Sequence, residues 1–258
     1  MNDLSGKIIL VTGGAKGIGR GISESFLARG AQVVACGREM PAELPRSGDA
    51  QARFIVADVR DADAVERLFV QIEADYGGLD VLVSNAGGAP FALADSASPR
   101  FHEAIIRLNL IAPLLLAQRA NAIMQKRAGG GTIVFVASVS GLRASPGTAA
   151  YGAAKAGVLS LVQSLAVEWA PKVRVVAVSP GLVHTEKSAL HYGDEQGIAQ
   201  VAATVPLQRM ATPADIGAVC AWLASSDAGY VSGANLLVHG GGERPAFLAA
   251  ATANIAPP

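Results

Sequence analysis

What this sequence lacks narrows the reading first. Lys plus Arg equals Asp plus Glu at 21 each, so no net charge draws the chain to nucleic acid or to an anionic membrane. Only two cysteines occur, Cys36 and Cys220, far apart and outside any CxxC pattern. No N-terminal signal peptide is visible, and no apolar run reaches the ~18 residues of a membrane span. These absences predict a soluble cytoplasmic protein with reduced thiols, with neither nucleic acid nor membrane as partner. His184 and His191 lack spaced carboxylate or thiolate partners, so no metal site is expected.

What is present is apolar material. Hydrophobic residues make up 51% of 258, ample for the core of one large domain spanning 1–258. Apolar strand-like runs at 7–11, 31–35, 53–56, 79–84, 131–137, 173–178 and 235–238 alternate with helix-like stretches such as 61–76 and 212–223. Continuous apolar strands separated by helices imply a parallel sheet covered on both faces, the doubly wound α/β plan of Rossmann type. No internal repeat or low-complexity linker interrupts it. The connection 39–52 carries Pro41 and Pro45 and can hold at most a short helix.

Within that plan the polar fixed points are Ser138, Tyr151 and Lys155. Ser138 ends the apolar run 131–137, which puts its hydroxyl at a strand's carboxyl end. Tyr151 and Lys155 stand four apart in the helical stretch 150–169 and so share a face. Ser145-Pro146-Gly147 breaks the chain between strand and helix and lets that face turn back toward Ser138. A free phenol has a pKa of ~10, and bringing it near 7 takes roughly 4 kcal/mol of preference for the phenolate. One ammonium at ~4 Å in an effective dielectric of ~20 supplies that much, so Lys155 is sufficient to make Tyr151 a general acid or base. A lone YxxxK on a helix is otherwise surface decoration; the rest of the chain favours the chemical reading.

Thr12-Gly13-Gly14-Ala15-Lys16-Gly17-Ile18-Gly19 joins the first strand to the helix 20–29, where glycines permit a tight turn and close approach of a pyrophosphate. The second strand ends at Cys36-Gly37-Arg38; two cations, Lys16 and Arg38, and no acid there favour NADP, with NAD as the alternative. Asp58-Val59 and Asn85-Ala86-Gly87-Gly88 follow further strands. Asn109 precedes Pro113 by four residues, so its carbonyl loses an intrahelical partner, the run 101–125 should kink, and carbonyl and side-chain amide could hold a water beside Lys155. After Ser179-Pro180-Gly181-Leu182-Val183-His184-Thr185 comes a polar, loosely patterned stretch to 210, expected to be a substrate lid over 182–210.

Together these residues resemble the classical short-chain dehydrogenase/reductase family from residue 4 to 242: the TGxxxGxG pattern at 12–19, Asp58-Val59, Asn85-Ala86-Gly87, Asn109, Ser138, Tyr151, Lys155, and Pro180-Gly181 with Thr185. The resemblance implies that Asn109, Ser138, Tyr151 and Lys155 form a catalytic tetrad. It implies a cofactor site of Gly13, Lys16, Gly17, Ile18, Gly19, Arg38, Asp58, Val59, Asn85, Ala86, Gly87, Tyr151, Lys155, Pro180, Gly181, Val183 and Thr185, with Asp58 on the adenine side and Thr185 at the nicotinamide carboxamide. The chain departs from the family where His239 replaces a common aspartate and where 39–52 looks curtailed.

The expected activity is hydride transfer between a nicotinamide cofactor and a ketone or secondary alcohol. A dinucleotide-sensing regulator and a pure scaffold are the alternatives, and both leave the Tyr151–Lys155 pair without a use. Segments 88–95, 140–148 and 182–210 should wall the substrate space with Pro90, Phe91, Leu93, Leu142, Pro146, Leu190, Val201 and Val205, while Arg143 and Lys187 are the few cations near it. That composition suits a small-molecule ketone of hydrophobic or amphipathic kind: a 3-oxoacyl thioester, a cyclic ketone or a steroid. Apolar side chains around much of 101–125 and 150–169 predict a homotetramer, with the tail 243–258 docking at an interface or on a neighbour's site.

Overall fold

The computed structural model describes residues 4–246. Its strands are β1 (Ile8–Thr12), β2 (Gln32–Gly37), β3 (Arg46–Ser47), β4 (Ala50–Gln51), β5 (Arg53–Val56), β6 (Val81–Ser84), β7 (Gly131–Val136), β8 (Val173–Pro180) and β9 (Asn235–Val238). Its helices are α1 (Gly17–Leu27), α2 (Ala62–Tyr76), α3 (Pro99–Ile106), α4 (Ala112–Met124), α5 (Ala149–Glu168), α6 (Ser188–Tyr192), α7 (Glu195–Thr204) and α8 (Pro213–Ala224).

Seven strands form one parallel sheet in the order β5-β2-β1-β6-β7-β8-β9. The winding reverses between β1 and β6, and such a switch point leaves a crevice at the strands' carboxyl ends. Both faces of the sheet's central strands are buried. Along β1, Ile8 and Leu10 join one core while Ile9 and Val11 join the other. The first core is covered by α2, α4 and α5 through residues such as Leu68, Leu116 and Val158; the second by α1 and α8 through Phe26 and Ile216. Burial on both sides is why these strands read as unbroken apolar runs instead of alternating ones.

Side-chain caps fix where helices start. The Asp61 carboxylate accepts from the backbone N–H groups of Asp63 and Ala64 at the head of α2. Thr212 and Asp215 form a reciprocal capping box at the head of α8, with Pro213 at the first helical position.

The connection 39–52, expected to hold at most a short helix, holds none and forms the small hairpin β3–β4. Two stretches differ from the sequence reading. The run 101–125 is divided by a π-helical turn, Arg107–Ile111, in which the Ala112 N–H donates to the Arg107 carbonyl five residues back. Pro113 lacks an N–H, and the extra residue in the turn absorbs the mismatch that the sequence predicts as a simple kink. The loosely patterned lid contains two helices, α6 and α7, the second capped by the Asp194 carboxylate accepting from Gly197 N–H. Helix α5 spans 20 residues and an 18-residue window of it reaches a mean hydropathy of 1.2, long and apolar enough to cross a bilayer by length and composition. Here Val158, Val162 and Leu165 of α5 pack into the core over the sheet. The tail residues Phe247 and Leu248, expected at an interface, lie outside the described residues.

Candidate active site

Two adjoining cavities open at the carboxyl edge of the sheet. The larger, about 400 Å³, is lined by Gly13, Lys16, Gly17, Ile18 and Gly19 from the turn after β1, by Asn85, Ala86 and Gly87 after β6, by Ser138 after β7, by Tyr151 and Lys155 of α5, and by Pro180, Gly181 and Thr185 after β8. The second, about 300 Å³, is lined by Arg38, Asp58 and Val59 and shares Gly13, Lys16, Ala86 and Gly87 with the first. Topology alone gathers these residues, because each follows the carboxyl end of a neighbouring strand. Two residues of the sequence-based set lie outside both linings. Val183 bridges to Ala211 and packs against the α1–α8 core. Asn109 is fully buried behind Gly87.

Asn109 is held by the π turn and spends its whole amide on backbone. Its Nδ2 donates to the carbonyls of Gly88 (3.0 Å) and Ile105 (2.9 Å), and its Oδ1 accepts from Gly88 N–H (2.8 Å). Both Nδ2 protons are thus committed to backbone carbonyls, and the side chain pins the Gly87–Gly88 turn. A Cβ at Gly87 would stand 2.7 Å from Asn109 Oδ1 and 3.5 Å from Lys155 Nζ, so only glycine fits between them.

Lys155 is buried, donates to the Val136 carbonyl at 2.7 Å, and sits 5.5 Å from the centre of the Tyr151 ring. Burial pulls its ammonium down to about 8. Burial also pushes the Tyr151 phenol above its ordinary value, and interaction with the Ser138 hydroxyl opposes that rise. This corrects the expected depression of the phenol's pKa by Lys155. Desolvation is the larger cause, and the ammonium's hydrogen bond goes to Val136 and not to the phenol. Ser138 in turn accepts from Ser140 N–H at 3.1 Å, which leaves its own proton to donate elsewhere.

Asn85 ties the site to the sheet: its N–H and that of Ala86 donate to Thr12 Oγ1 at 3.0 Å, and its Nδ2 donates to the Thr12 carbonyl. Asp58 is clamped by Arg60, whose Nε and Nη2 reach the carboxylate at 3.0 and 2.6 Å. That guanidinium, ahead of Arg38, holds the carboxyl below its ordinary range. The sequence reading lacks Arg60, although its place two residues beyond Asp58 is a usable signal. Glu39, Glu186 and Lys187 also line the cavities unannounced in that role. Glu39 adjoins Arg38, so the sequence reading of an acid-free second strand end is corrected: a carboxylate lies in that wall.

The residues fit a dinucleotide. Gly17 has φ +51°, a conformation that favours glycine, and a Cβ built there would meet the Thr185 and Glu186 side chains at 3.7–3.9 Å, so the cradle at the head of α1 has side chains and no backbone above it. Lys16, the N-cap, gives no side-chain cap to the first turn, so its N–H groups are available to an anion. At Gly19 a Cβ would collide with the Gly13 carbonyl, which keeps the turn tight.

Comparison with known proteins agrees with this geometry. A family model described as Enoyl-(Acyl carrier protein) reductase matches residues 13–243. The 3-oxoacyl-acyl-carrier-protein reductase MabA of Mycobacterium tuberculosis is 38% identical over 237 residues, 90% of this chain and 91% of that protein. The 3beta-hydroxysteroid dehydrogenase 1 of Eggerthella lenta is 34% identical over 248 residues, covering 93% and 95%. The ligand-free aldohexose dehydrogenase of Thermoplasma acidophilum superposes with TM-score 0.87 at 30% identity, over 100% of this chain and 99% of that one. With its parallel sheet, glycine turn and Ser138–Tyr151–Lys155 cavity, the chain belongs to the classical short-chain dehydrogenase/reductase family of NAD(P)-dependent oxidoreductases.

Proposed function

We propose that the protein is an NADP-dependent carbonyl reductase, and in reverse a secondary-alcohol dehydrogenase, for hydrophobic or amphipathic ketones. The observation that carries this reading is that Ser138, Tyr151 and Lys155 line the same cavity as the glycine turn. The nicotinamide cofactor, when bound, supplies the hydride. Ser138 donates a hydrogen bond to the substrate oxygen and orients it. Tyr151, kept neutral by burial, gives its proton to that oxygen as negative charge develops. Lys155 holds the nicotinamide ribose and offsets the phenolate's charge. Asn109 acts as a positioning residue through the Gly87–Gly88 turn.

Apolar walls support the substrate class. Phe91, Leu93, Leu142 and Leu190 are exposed large side chains on the segments 88–95, 140–148 and 182–210. Beyond Gly181 a further cavity of about 250 Å³ is lined by Val139, Leu142, Leu182, Val205 and Leu237. Arg143, in that wall, is ion-paired with Glu243, so no cluster of cations converges there for a phosphorylated or polycarboxylate substrate. A 3-oxoacyl thioester, a cyclic ketone and a steroid suit such a space, and the mycobacterial and Eggerthella relatives carry names of the first and third kinds.

Lys16, Arg38 and Arg60 support NADP. Glu39 in the same wall favours the second reading, an NAD enzyme, since a carboxylate accepts the ribose hydroxyl. Direct titration decides: tighter binding of NADPH than NADH supports the first, the reverse order the second. The reading further assigns a cytoplasmic homotetramer with Cys36 and Cys220 reduced.

A further inference from the structure

We propose that Glu186 and Lys187, at the head of the 182–210 segment, form a charge-exchange gate on the cofactor cleft. The Glu186 carboxylate covers the anion site of the glycine turn; when phosphates enter, Glu186 leaves and Lys187 takes them. Nothing in the sequence-based set of site residues includes either side chain, and the inference rests on dinucleotide binding, not on the identity of the ketone.

The first observation is position. A Cβ built on Gly17 would lie 3.8 and 3.9 Å from the two carboxylate oxygens of Glu186, which therefore hang over the cradle at the head of α1. That helix start favours negative charge, and its N-cap, Lys16, offers no side-chain oxygen of its own. Glu186 thus occupies, with one negative charge, the place a pyrophosphate would claim. Two anions do not share such a site, so phosphate entry must displace the carboxylate.

The second observation concerns Lys187. In the whole segment 182–210 it is the residue that lines both cofactor cavities, the one at the glycine turn and the one at Arg38 and Asp58. Its stem therefore begins where the two halves of a dinucleotide meet. A third observation shows what can move. Thr185 N–H donates to Ser188 Oγ (2.9 Å), Lys187 N–H to Thr185 Oγ1 (3.3 Å) and Ser188 N–H to the Thr185 carbonyl (3.0 Å), with Ser188 buried. The backbone of this turn is tied down at both ends, while the side chains of Glu186 and Lys187 are exposed. Exchange by side-chain rotation is the motion this anchoring leaves open.

Fluorescence titration of NADPH into the full-length protein tests the gate. E186Q should tighten the Kd roughly two- to five-fold at low salt, the effect of one removed charge at a helix start. K187Q should weaken it by a similar factor. Both differences should fade near 1 M salt, where the Debye length is ~3 Å. Adenosine, which carries no phosphate, should displace NADPH according to its own unchanged affinity in both variants. Trypsin cleavage after Lys187 in the wild-type protein should slow with NADPH bound. The gate is overturned if E186Q leaves the low-salt Kd unchanged or weakens it, if K187Q does not weaken it, or if adenosine and NADPH shift alike, as a merely structural role would require.

Discussion

Lys155 joins the stability of the fold to the chemistry of the site. Its pKa falls from 10.5 to about 8 on folding, so between those values the unfolded chain binds more protons than the native one. Stability should therefore rise with pH from about 8 toward 10.5, because the cost of a buried ammonium is fully present below 8 and relieved above it. The gain in urea midpoint between pH 7 and pH 9.5 should be larger for the wild type than for Lys155→Met; equal gains would show that another group titrates. The same loss of charge should lower reductive kcat/KM as pH climbs through about 8, since the phenolate left on Tyr151 loses its counter-charge. Two other residues are expected to be silent. Cys36 and Cys220 are buried, and burial raises both thiols to about 12, so native protein should resist iodoacetamide at pH 8 and react only in urea.

The packing of α1 on α8 makes a prediction for elements. Gly21 faces Pro213, and Gly217 faces Ser25 and the Gly21 carbonyl, so a Cβ at either glycine would collide with its neighbour. Gly21→Ala and Gly217→Ala should each lower the unfolding free energy by about 1–3 kcal/mol in denaturant melts, while cofactor affinity changes little. Unaltered stability would mean that the helices move apart freely. Such close approach was not legible in the sequence, because a glycine within a helical pattern does not announce what lies opposite it. The strands were legible, since burial on both faces leaves each an unbroken apolar run, and the starts of α2 and α8 could be read from Asp61 and Thr212. The site was legible where spacing sets geometry, as with Tyr151 and Lys155. It was not where the neighbour comes from a distant segment, as with Glu186 over Gly17, or where solvation decides, as with the Tyr151 phenol. The π turn lay between: Pro113 signalled an irregularity, but the extra residue depends on how Asn109 docks on Gly88.

For the whole molecule, exposed apolar side chains remain on the layer formed by α4 and α5: Leu115 is 41% and Val167 80% exposed, with Ile111 just before α4 at 39%. Apolar surface on these long helices is what association across a two-fold axis would cover, and a homotetramer is the expected state. Light scattering at micromolar concentration should give four times the chain mass of 26.2 kDa, and a monomer mass would contradict it. The central claim, that the Ser138–Tyr151–Lys155 cavity reduces a ketone, is tested most directly by NADPH oxidation with a panel of 3-oxoacyl thioesters, cyclic ketones and steroid ketones, wild type against Tyr151→Phe. The expected result is turnover that grows with the substrate's apolar bulk in the wild type, and in the variant a rate lowered by at least about a hundred-fold with NADPH binding nearly intact. Near-native turnover in Tyr151→Phe, or no ketone reduced by a wild-type protein that binds NADPH, would contradict it.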